Sequence, residues 1–369
     1  MKLASSLCAL ALLAAGCNRA ESQGQHGLTL EKKLPAAFAQ LSNVVELGDG
    51  RVAFADTKAK LFFAADLQTG KVDTLGTRAD SVARNAPSEQ YKFPGWVARL
   101  GGDTLALVDF STLRTTLWSG AGKPLGVLSI PDVAGNAPVL VYDTVGNGYK
   151  VDYQAVIGGA EPGRAVRPDS VPVLRIALRT GAVDTVARLA SPEFGDALFG
   201  EQMQQAAKVF SPNDFFGVLP NGTAWLARGH QNRVDWRAPD GTWTSGQSHP
   251  YTKMPVTQAD RDRVLAQVRE HGKQFGMPQN LTIQYPFADT KAPFDFALGR
   301  PNGEVWLQRP RAEEDAALTY DIFDRTGRWQ RDVEFPHGAS LAGFGSKGAI
   351  YASIKEADGQ RTVGRFKLE

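Results

Sequence analysis

The feature that most constrains the fold of this chain is a unit that recurs six times along it. Each copy has a short apolar strand, a turn containing glycine, and a second strand in which apolar and polar residues alternate. One such unit cannot bury its apolar face alone, so successive copies must stack against one another. The turns and second strands read GDGRVAFAD from Gly48, GGDTLALVD from Gly101, VGNGYKVDY from Val145, PNGTAWLARG from Pro220, PNGEVWLQR from Pro301 and SKGAIYASI from Ser346.

Four of the turns contain residue pairs that favour two-residue type I′ hairpins, in which both central residues need positive φ. These pairs are Asp49-Gly50, Asn147-Gly148, Asn221-Gly222 and Asn302-Gly303. After each of the first five hairpins, two more alternating segments follow, joined by a second glycine turn. Four strands per unit is the blade of a propeller. The sequence therefore predicts an all-β fold, a six-bladed β-propeller.

The sixth unit contains only three strands before the chain stops at Glu369. A circular array must close to remove exposed strand edges. The unassigned segment LTLEKKLP, residues Leu28 to Pro35, is strand-like, and we expect it to pair with Arg361 to Leu368 and complete the last blade. An open sandwich or a seven-bladed ring is the alternative.

Two longer intervals between units contain insertions. Residues Glu201 to Phe210 are predicted to form a short helix. The second insertion, about residues 251–286, is predicted to contain a helix capped by Thr257 with Asp260 three residues on. Its apolar residues fall roughly on one face: Val264, Leu265, Val268 and Phe275. We expect this helix to pack on the propeller as part of the same domain, and a moving lid is the alternative.

The glycine hairpins, together with the turns DLQTG (Asp66 to Gly70) and DRTGR (Asp324 to Arg328), resemble six-bladed propellers of the NHL and TolB-like superfamily. Within it, the chain looks like bacterial lipoproteins. The resemblance covers Leu28 to Glu369 and implies the fold. It leaves the activity open, since the members it resembles include lactonases, lyases, receptors and scaffolds.

The first residues indicate export. Lys2 precedes an apolar run from Leu3 to Ala15, which is too short for a permanent membrane span and is typical of a secretory signal peptide. The run ends in LLAAGC, which resembles the lipobox of bacterial lipoproteins, where the cysteine thiol receives a diacylglycerol and the leader is removed. We therefore expect residues 1–16 to be a leader, Cys17 to be lipidated, and residues 17–27 to be a flexible tether to a propeller spanning residues 28–369. An ordinary cleaved signal and a free exported protein are the alternative.

This anchoring predicts a cell-envelope protein that contacts the membrane through palmitate-like chains at Cys17. The residue after the cysteine is Asn18, whereas an aspartate at this position would resemble an inner-membrane retention signal. The outer membrane facing the periplasm is therefore favoured. The other cysteine, Cys8, lies in the leader, so no disulfide is available to the propeller. The formal net charge of +2, one unit of it from Lys2, gives no reason to expect nucleic acid as a partner.

Candidate site residues are those that follow the second strand of each blade, because these positions converge on one face of a propeller. They are Asp56, Asp109, Gln154, Arg228, Arg309 and Ile354. Asp56, Asp109, Arg228 and Arg309 could form a polar ring in which the guanidinium groups capture a carboxylate or phosphate. The alternative is structural, with the acids capping their own loops and the arginines solvated or bridging blades.

No metal site or cofactor is predicted. The five histidines do not cluster, and neither a nucleophile elbow nor a phosphate-binding loop is visible. Trp225 and Trp306 occupy equivalent places in two blades, where core packing is favoured over a stacking platform for a ligand.

We therefore expect a non-catalytic binding or scaffold propeller that takes a protein partner or a small anionic ligand. The main alternative is an extracytoplasmic metal-dependent hydrolase or lyase resembling lactonases, with its site at the mouth of the channel. A quinone-dependent dehydrogenase is a third hypothesis.

Overall fold

A computed structural model describes residues 27–83, 85–130, 138–152, 168–274, 277–278, 280–313 and 316–369. Residues 1–26, which contain the predicted leader, Cys17 and most of the predicted tether, lie outside the described residues. Gln154 and Phe275 also lie outside them. The described residues form six four-stranded antiparallel sheets. This confirms the all-β propeller with six blades.

The strands of the first three blades follow the repeat predicted from the sequence. Blade 1 contains β2 (Val45–Glu46), β3 (Val52–Asp56), β4 (Leu61–Ala65) and β5 (Val72–Leu75). A short parallel pair, β6 (Thr77–Arg78) and β7 (Gln90–Tyr91), leads to blade 2. Blade 2 contains β8 (Pro94–Gly101), β9 (Thr104–Asp109), β10 (Arg114–Ser119) and β11 (Pro124–Leu128). Blade 3 contains β12 (Val141–Tyr142), β13 (Asn147–Val151), β14 (Ser170–Ala177) and β15 (Val183–Ala190).

The second half of the ring repeats the pattern and ends with the closing strand. Blade 4 contains β18 (Phe215–Val218), β19 (Ala224–Arg228), β20 (Arg233–Arg237) and β21 (Trp243–Thr244). Blade 5 contains β23 (Phe296–Gly299), β24 (Val305–Gln308), β25 (Thr319–Phe323) and β26 (Trp329–Glu334). Blade 6 contains β27 (Ala339–Phe344), β28 (Ile350–Lys355), β29 (Arg361–Leu368) and, as its outer strand, β1 (Leu28–Lys33).

The predicted closure is confirmed. Strand β1 pairs antiparallel with β29, in a register that joins Leu28 to Leu368 and Lys33 to Gly364. Beyond the strand, the Thr362 hydroxyl donates to the carbonyl of Leu34 at 2.6 Å. The first and last described segments of the chain therefore share one blade.

Each junction between neighbouring blades has its own apolar cluster. Trp306 and Tyr320 of blade 5 pack with Leu341 and Ile350 of blade 6. Equivalent clusters join blades 1 and 2, 2 and 3, 3 and 4, 4 and 5, and 6 and 1. Because the core is divided among the junctions, the stability of each blade depends on both of its neighbours. These six junctions close the ring, unlike an open sandwich.

The two faces of the ring differ. The hairpin face carries the turns between the first and second strands, such as Leu47–Gly50 and Arg300–Gly303. The loop face carries the segments that follow the second and fourth strands, including both insertions. On the loop face, β16 (Phe194–Phe199), β17 (Gln202–Ala207) and β22 (Ile283–Gln284) form a three-stranded sheet, and the second insertion also contains α1 (Gln258–Gln274).

The helix predicted for Glu201 to Phe210 is wrong, because most of this segment is strand β17. Gly200 adopts a left-handed conformation with φ of 64° and allows a tight turn back along β16. Alanine and glutamine favour a helix, but pairing with a neighbouring strand outweighs this weak local preference.

The helix predicted in the second insertion is confirmed, with its cap. The amide of Asp260 donates to the Thr257 hydroxyl, and the amide of Thr257 donates to the Asp260 carboxylate. This reciprocal pair is a capping box. Val264, Leu265 and Val268 are each half-buried on the side of the helix that meets the propeller.

The turns differ in type from the prediction. Only the glycine of the Asp49-Gly50, Asn221-Gly222 and Asn302-Gly303 pairs has positive φ, so these are not type I′ turns. In the third blade the turn precedes Asn147-Gly148, which already lies in β13. There the carboxylate of Asp143 accepts the amides of Val145 and Asn147. Because the capping aspartate fixes this turn, the turn lies earlier in the chain than the asparagine-glycine pair suggests.

Candidate functional site

Asp56 and Asp109 are buried by the loops that follow their strands. The Asp56 carboxylate accepts four backbone amides, from Ala39, Gln40, Lys58 and Ala59, at 2.7 to 3.1 Å. Asp109 accepts the amides of Lys92, Ser111 and Thr112 in the same way. Both side chains are 3% exposed. Their contacts are those of loop-capping acids, the structural alternative.

Arg228 and Arg309 are each shared between two carboxylates. Arg228 contacts Asp214 at 2.9 Å and Asp235 at 3.2 Å, and also donates to the carbonyl of Arg188 in the neighbouring blade. Arg309 makes a bidentate pair with Asp321 and a third contact with Asp332 at 3.1 Å. An anion captured by either arginine would have to displace a carboxylate already in place.

The remaining predicted positions have other surroundings. Ile354 is half-buried. Trp225 and Trp306 are 3% and 0% exposed, within the clusters that join blades 4 and 5 and blades 5 and 6. They therefore pack the core and offer no surface to a ligand.

Two adjoining cavities open on the loop face around blade 5. The first, of about 570 Å³, is the proline cavity, lined by Pro250, Tyr251, Pro293, Arg309 and Pro310 among others. The second, of about 300 Å³, is the helix cavity, lined by residues of α1, of the approach to blade 4 and of blade 5. Pro310 and Arg311 line both. Of the predicted ring residues with described positions, only Arg309 lines either cavity.

One wall of the helix cavity carries a buried charge cluster centred on Asp260. Lys291 Nζ lies 2.8 Å from Asp260 Oδ1, and Arg263 contacts the same oxygen. Thr257 donates to the other oxygen. Burial alone would raise the pKa of Asp260, but hydrogen bonds from Lys291, Thr257 and Arg263 outweigh it and hold the pKa below its usual range. Two cations share one carboxylate, so this wall carries a net positive charge.

The lining of the helix cavity also includes Asp295, directly before inner strand β23. Gln308 donates to its Oδ1 at 2.7 Å, Tyr320 donates to Gln308 at 2.8 Å, and the amide of Leu341 donates to Tyr320 at 3.1 Å. The carboxylate remains open to the cavity, but the surrounding protein limits its hydration, and this burial raises its pKa. The helix cavity therefore combines the positive charge of Arg263 and Lys291 with two acidic side chains, Glu313 and Asp295, the second of which is hard to ionise.

Sequence reasoning found Asp260 only as a helix cap and missed Lys291 and Asp295. Both lie on the same face as the predicted ring, but they precede an inner strand instead of following a second strand. The signal available was the presence of two charged residues, Lys291 and Asp295, in the otherwise apolar segment that leads into β23.

The described residues contain no group of three or more histidine, cysteine, aspartate or glutamate side chains placed to hold a metal ion. His249 stacks on Trp329 with ring centres 4.7 Å apart, and burial lowers its pKa. Nor do the helices in this part of the chain include one with the length and apolar character to span a bilayer.

Searches by sequence match the chain to no family model and to no curated protein. Solved structures do share its fold. A member of the DUF4221 family from Bacteroides vulgatus superposes with a TM-score of 0.50 at 9% identity, covering 94% of this chain and 99% of that one. An exported protein from Bacteroides fragilis gives a TM-score of 0.51 at 9% identity, covering 93% and 95%. At this identity the similarity establishes the fold alone.

Proposed function

We propose that this chain is a cell-envelope lipoprotein whose propeller binds a small anionic ligand in the helix cavity. The proposal combines an anchoring role for the N-terminal residues with a binding role for the loop face. It places the chain among the NHL and TolB-like propellers, with a non-catalytic binding function.

The anchoring role is supported by the sequence of the first residues. In this proposal residues 1–16 are the leader, Cys17 carries the lipid, residues 17–27 are the tether and residues 28–369 are the propeller. A diacyl group and an amide-linked chain together provide the two signals that stable attachment needs. The outer membrane facing the periplasm is the proposed location.

The binding role depends on one observation, the sharing of the Asp260 carboxylate between Arg263 and Lys291. Lys291 is 4% exposed and uses two of its three donors, on Asp260 and on the carbonyl of Arg311. Arg263 keeps further donors beyond its contact with Asp260 and lines the cavity. A ligand carboxylate or phosphate at this wall would therefore gain charge-assisted hydrogen bonds.

Asp295 restricts the range of possible ligands further. An open carboxylate in the same cavity as Arg263 and Lys291 favours a ligand that also carries a hydrogen-bond donor, such as an amine or a hydroxyl group. Small hydroxy acids, amino acids and sugar phosphates have this combination.

The test is a thermal-shift screen of such compounds, followed by calorimetric titration of each hit. Binding to the folded state raises the melting temperature. Arg263→Gln should weaken the hit roughly tenfold or more, since a hydrogen bond to a charged group contributes about 1.5–3 kcal/mol. Arg269→Gln, on the exposed side of the same helix, is the matched control. Equal loss in both variants, or no loss in either, would contradict the proposed site.

Asp295 also supports a second candidate, a hydrolase or lyase working on the loop face. A carboxyl group with a raised pKa in a cavity, oriented by Gln308, has the properties of a general acid or base. Turnover of a lactone panel that Asp295→Asn abolishes, while Asp262→Asn retains it, would favour this candidate over simple binding.

A further inference from the structure

The hairpin face has a cavity of its own at the centre of the ring. It has a volume of about 590 Å³ and is lined by inner strands or their turns from all six blades. Its wall includes large apolar side chains that are only half-buried: Val45, Trp96, Leu140, Leu298 and Phe344. Cavities of this size are typical of small-molecule sites.

The polar side chains of this wall bond to neighbouring protein groups, including Arg99, which donates to the carbonyls of Glu46 and Gly102. Trp96 Nε1 donates to the carbonyl of Leu140 at 3.0 Å, and the Asn43 side chain exchanges two hydrogen bonds with the backbone of Val97. The carboxylate of Glu46 accepts both the amide and the hydroxyl of Ser346. The surface left open to solvent is therefore mainly apolar. Covering it with a hydrocarbon chain is favourable, because apolar surface is then removed from water.

The direction of the strands places the start of the described chain on the same face. Phe344 ends β27 at the cavity and pairs with Ile350, Ile350 pairs with Phe366, and Leu28 pairs with Leu368. Gly27, whose carbonyl accepts the amide of Glu369, therefore lies on the hairpin face. The ten residues from 18 to 27 span at most about 35 Å. If Cys17 is lipidated as proposed above, the hairpin face is the one held near the membrane.

We propose that this cavity binds the fatty-acyl chain of a membrane lipid, taken up through the mouth on the hairpin face. The inference depends on the proposed anchoring for the source of the lipid, and on the apolar wall for its recognition. An acyl chain needs no polar partner along its length, which matches a wall that is mainly apolar. The loop face is left free for the polar ligand.

The test uses residues 18–369 made without the lipid, which retain every described element of the ring. Titration with dibromostearic acid should quench tryptophan fluorescence in a saturable way, because bromine atoms would lie against Trp96. Trp96→Phe should remove most of the quenching. Leu298→Gln, which puts an amide in the wall, should weaken binding about tenfold. Leu125→Gln is the matched control, since Leu125 is 56% exposed on an outer strand.

Absence of saturable quenching would overturn the proposal, as would equal affinity in the Leu298→Gln and Leu125→Gln proteins. Labelling of the full chain with radioactive palmitate tests the anchor separately. Quenching without labelling would keep the cavity and reject the anchor, and labelling without quenching would do the reverse. If the lipidated full chain binds no probe while residues 18–369 do, the occupant is the chain's own lipid and the membrane source is wrong.

Discussion

Single acidic residues in this propeller differ in what surrounds their carboxylates. Asp56 is surrounded by backbone amides and fixes a loop. Asp260 is surrounded by cations and joins α1 to the segment before blade 5. Asp295 has one side-chain donor and an open side. Asp56 and Asp260 are buried, whereas Asp295 is exposed to the cavity, so exposure and the donors present together decide whether the acid is structural or available to a ligand.

Asp260→Asn should lower the free energy of unfolding at pH 7 by about 3 kcal/mol, because it leaves the buried Lys291 without its charge partner. The folded-state pKa of Asp260 lies below its unfolded value, so its contribution is present above that unfolded value and is lost as the pH falls. The difference between wild type and variant should therefore shrink below about pH 4. Urea unfolding across this range measures both effects.

The control for that change is Asp262→Asn on the exposed side of α1, where Asp262 accepts only Gln258. It should change the free energy of unfolding by no more than about 0.5 kcal/mol. An Asp260→Asn protein as stable as this control would contradict the assigned role.

Asp295→Asn should leave the protein at least as stable as the wild type at pH 7. The folded-state pKa of Asp295 is raised, so the wild type gains stability in acid and loses it as the pH rises through that pKa. The advantage of the variant should therefore be largest near neutral pH and fade in acid. Urea unfolding between pH 4 and 8 checks this, and a variant that is least stable at pH 7 would contradict it.

At the scale of the elements, the outer strand β1 and the junction clusters provide the closure. Strand β1 covers an edge of β29 that would otherwise be free to pair with another chain. The clusters divide the core so that each blade is held from both sides. Strand pairing and the packing of the junction clusters thus contribute separately to the stability of the ring, and each can be tested by itself.

Deleting Leu28–Lys33 from residues 18–369 should lower the free energy of unfolding by about 3–5 kcal/mol, since each lost hydrogen bond contributes about 1 kcal/mol net. The exposed edge should also promote association. Urea unfolding and sedimentation velocity measure the two effects. Deleting residues 18–26 is the control, and equal behaviour of the two deletions would show that β1 does not close the ring.

Trp306→Ala should cost about 3–5 kcal/mol, because it opens a cavity in the junction between blades 5 and 6. Trp243→Ala, at a tryptophan that is 39% exposed, should cost about 0.5 kcal/mol or less. Thermal unfolding of the pair distinguishes core packing from surface exposure. Similar losses would contradict the packing role of Trp306.

The elements also show where sequence reasoning succeeds. Alternating strands and glycine turns are local signals that recur six times, so the blades were predictable. The closure was predictable because only one strand-like segment remained unassigned to complete the last blade. Strand β17 was not, because only its pairing with β16 makes it extended. The helix cavity was not predictable either, since Asp260, Lys291 and Asp295 meet through the packing of an insertion whose position the repeat does not specify.

At the scale of the whole molecule, the two faces have different chemistry. The loop face presents charged groups beside two cavities, and the hairpin face presents an apolar cavity at the end of the ring where Gly27 lies. If residues 17–27 are a lipid-bearing tether as proposed, they would orient the ring. Polar ligands would then reach one side and lipids the other.

This orientation predicts that a fluorophore on Val145→Cys lies nearer the bilayer than one on Phe110→Cys. Val145 is 70% exposed on the hairpin face and Phe110 is 40% exposed on the loop face. With the lipidated protein on vesicles containing brominated lipids, the label at position 145 should be quenched more strongly. Equal quenching, or stronger quenching at position 110, would contradict the orientation.

Pairing of β1 with β29 also determines when the ring can close during folding. The first described strand pairs with the last, so Leu28 must wait until Leu368 has been synthesised. Until then the junction between blades 6 and 1 stays open, and an incomplete chain exposes apolar surface that promotes aggregation. A chain truncated before Arg361 would lack the partner of β1 and could not close the ring.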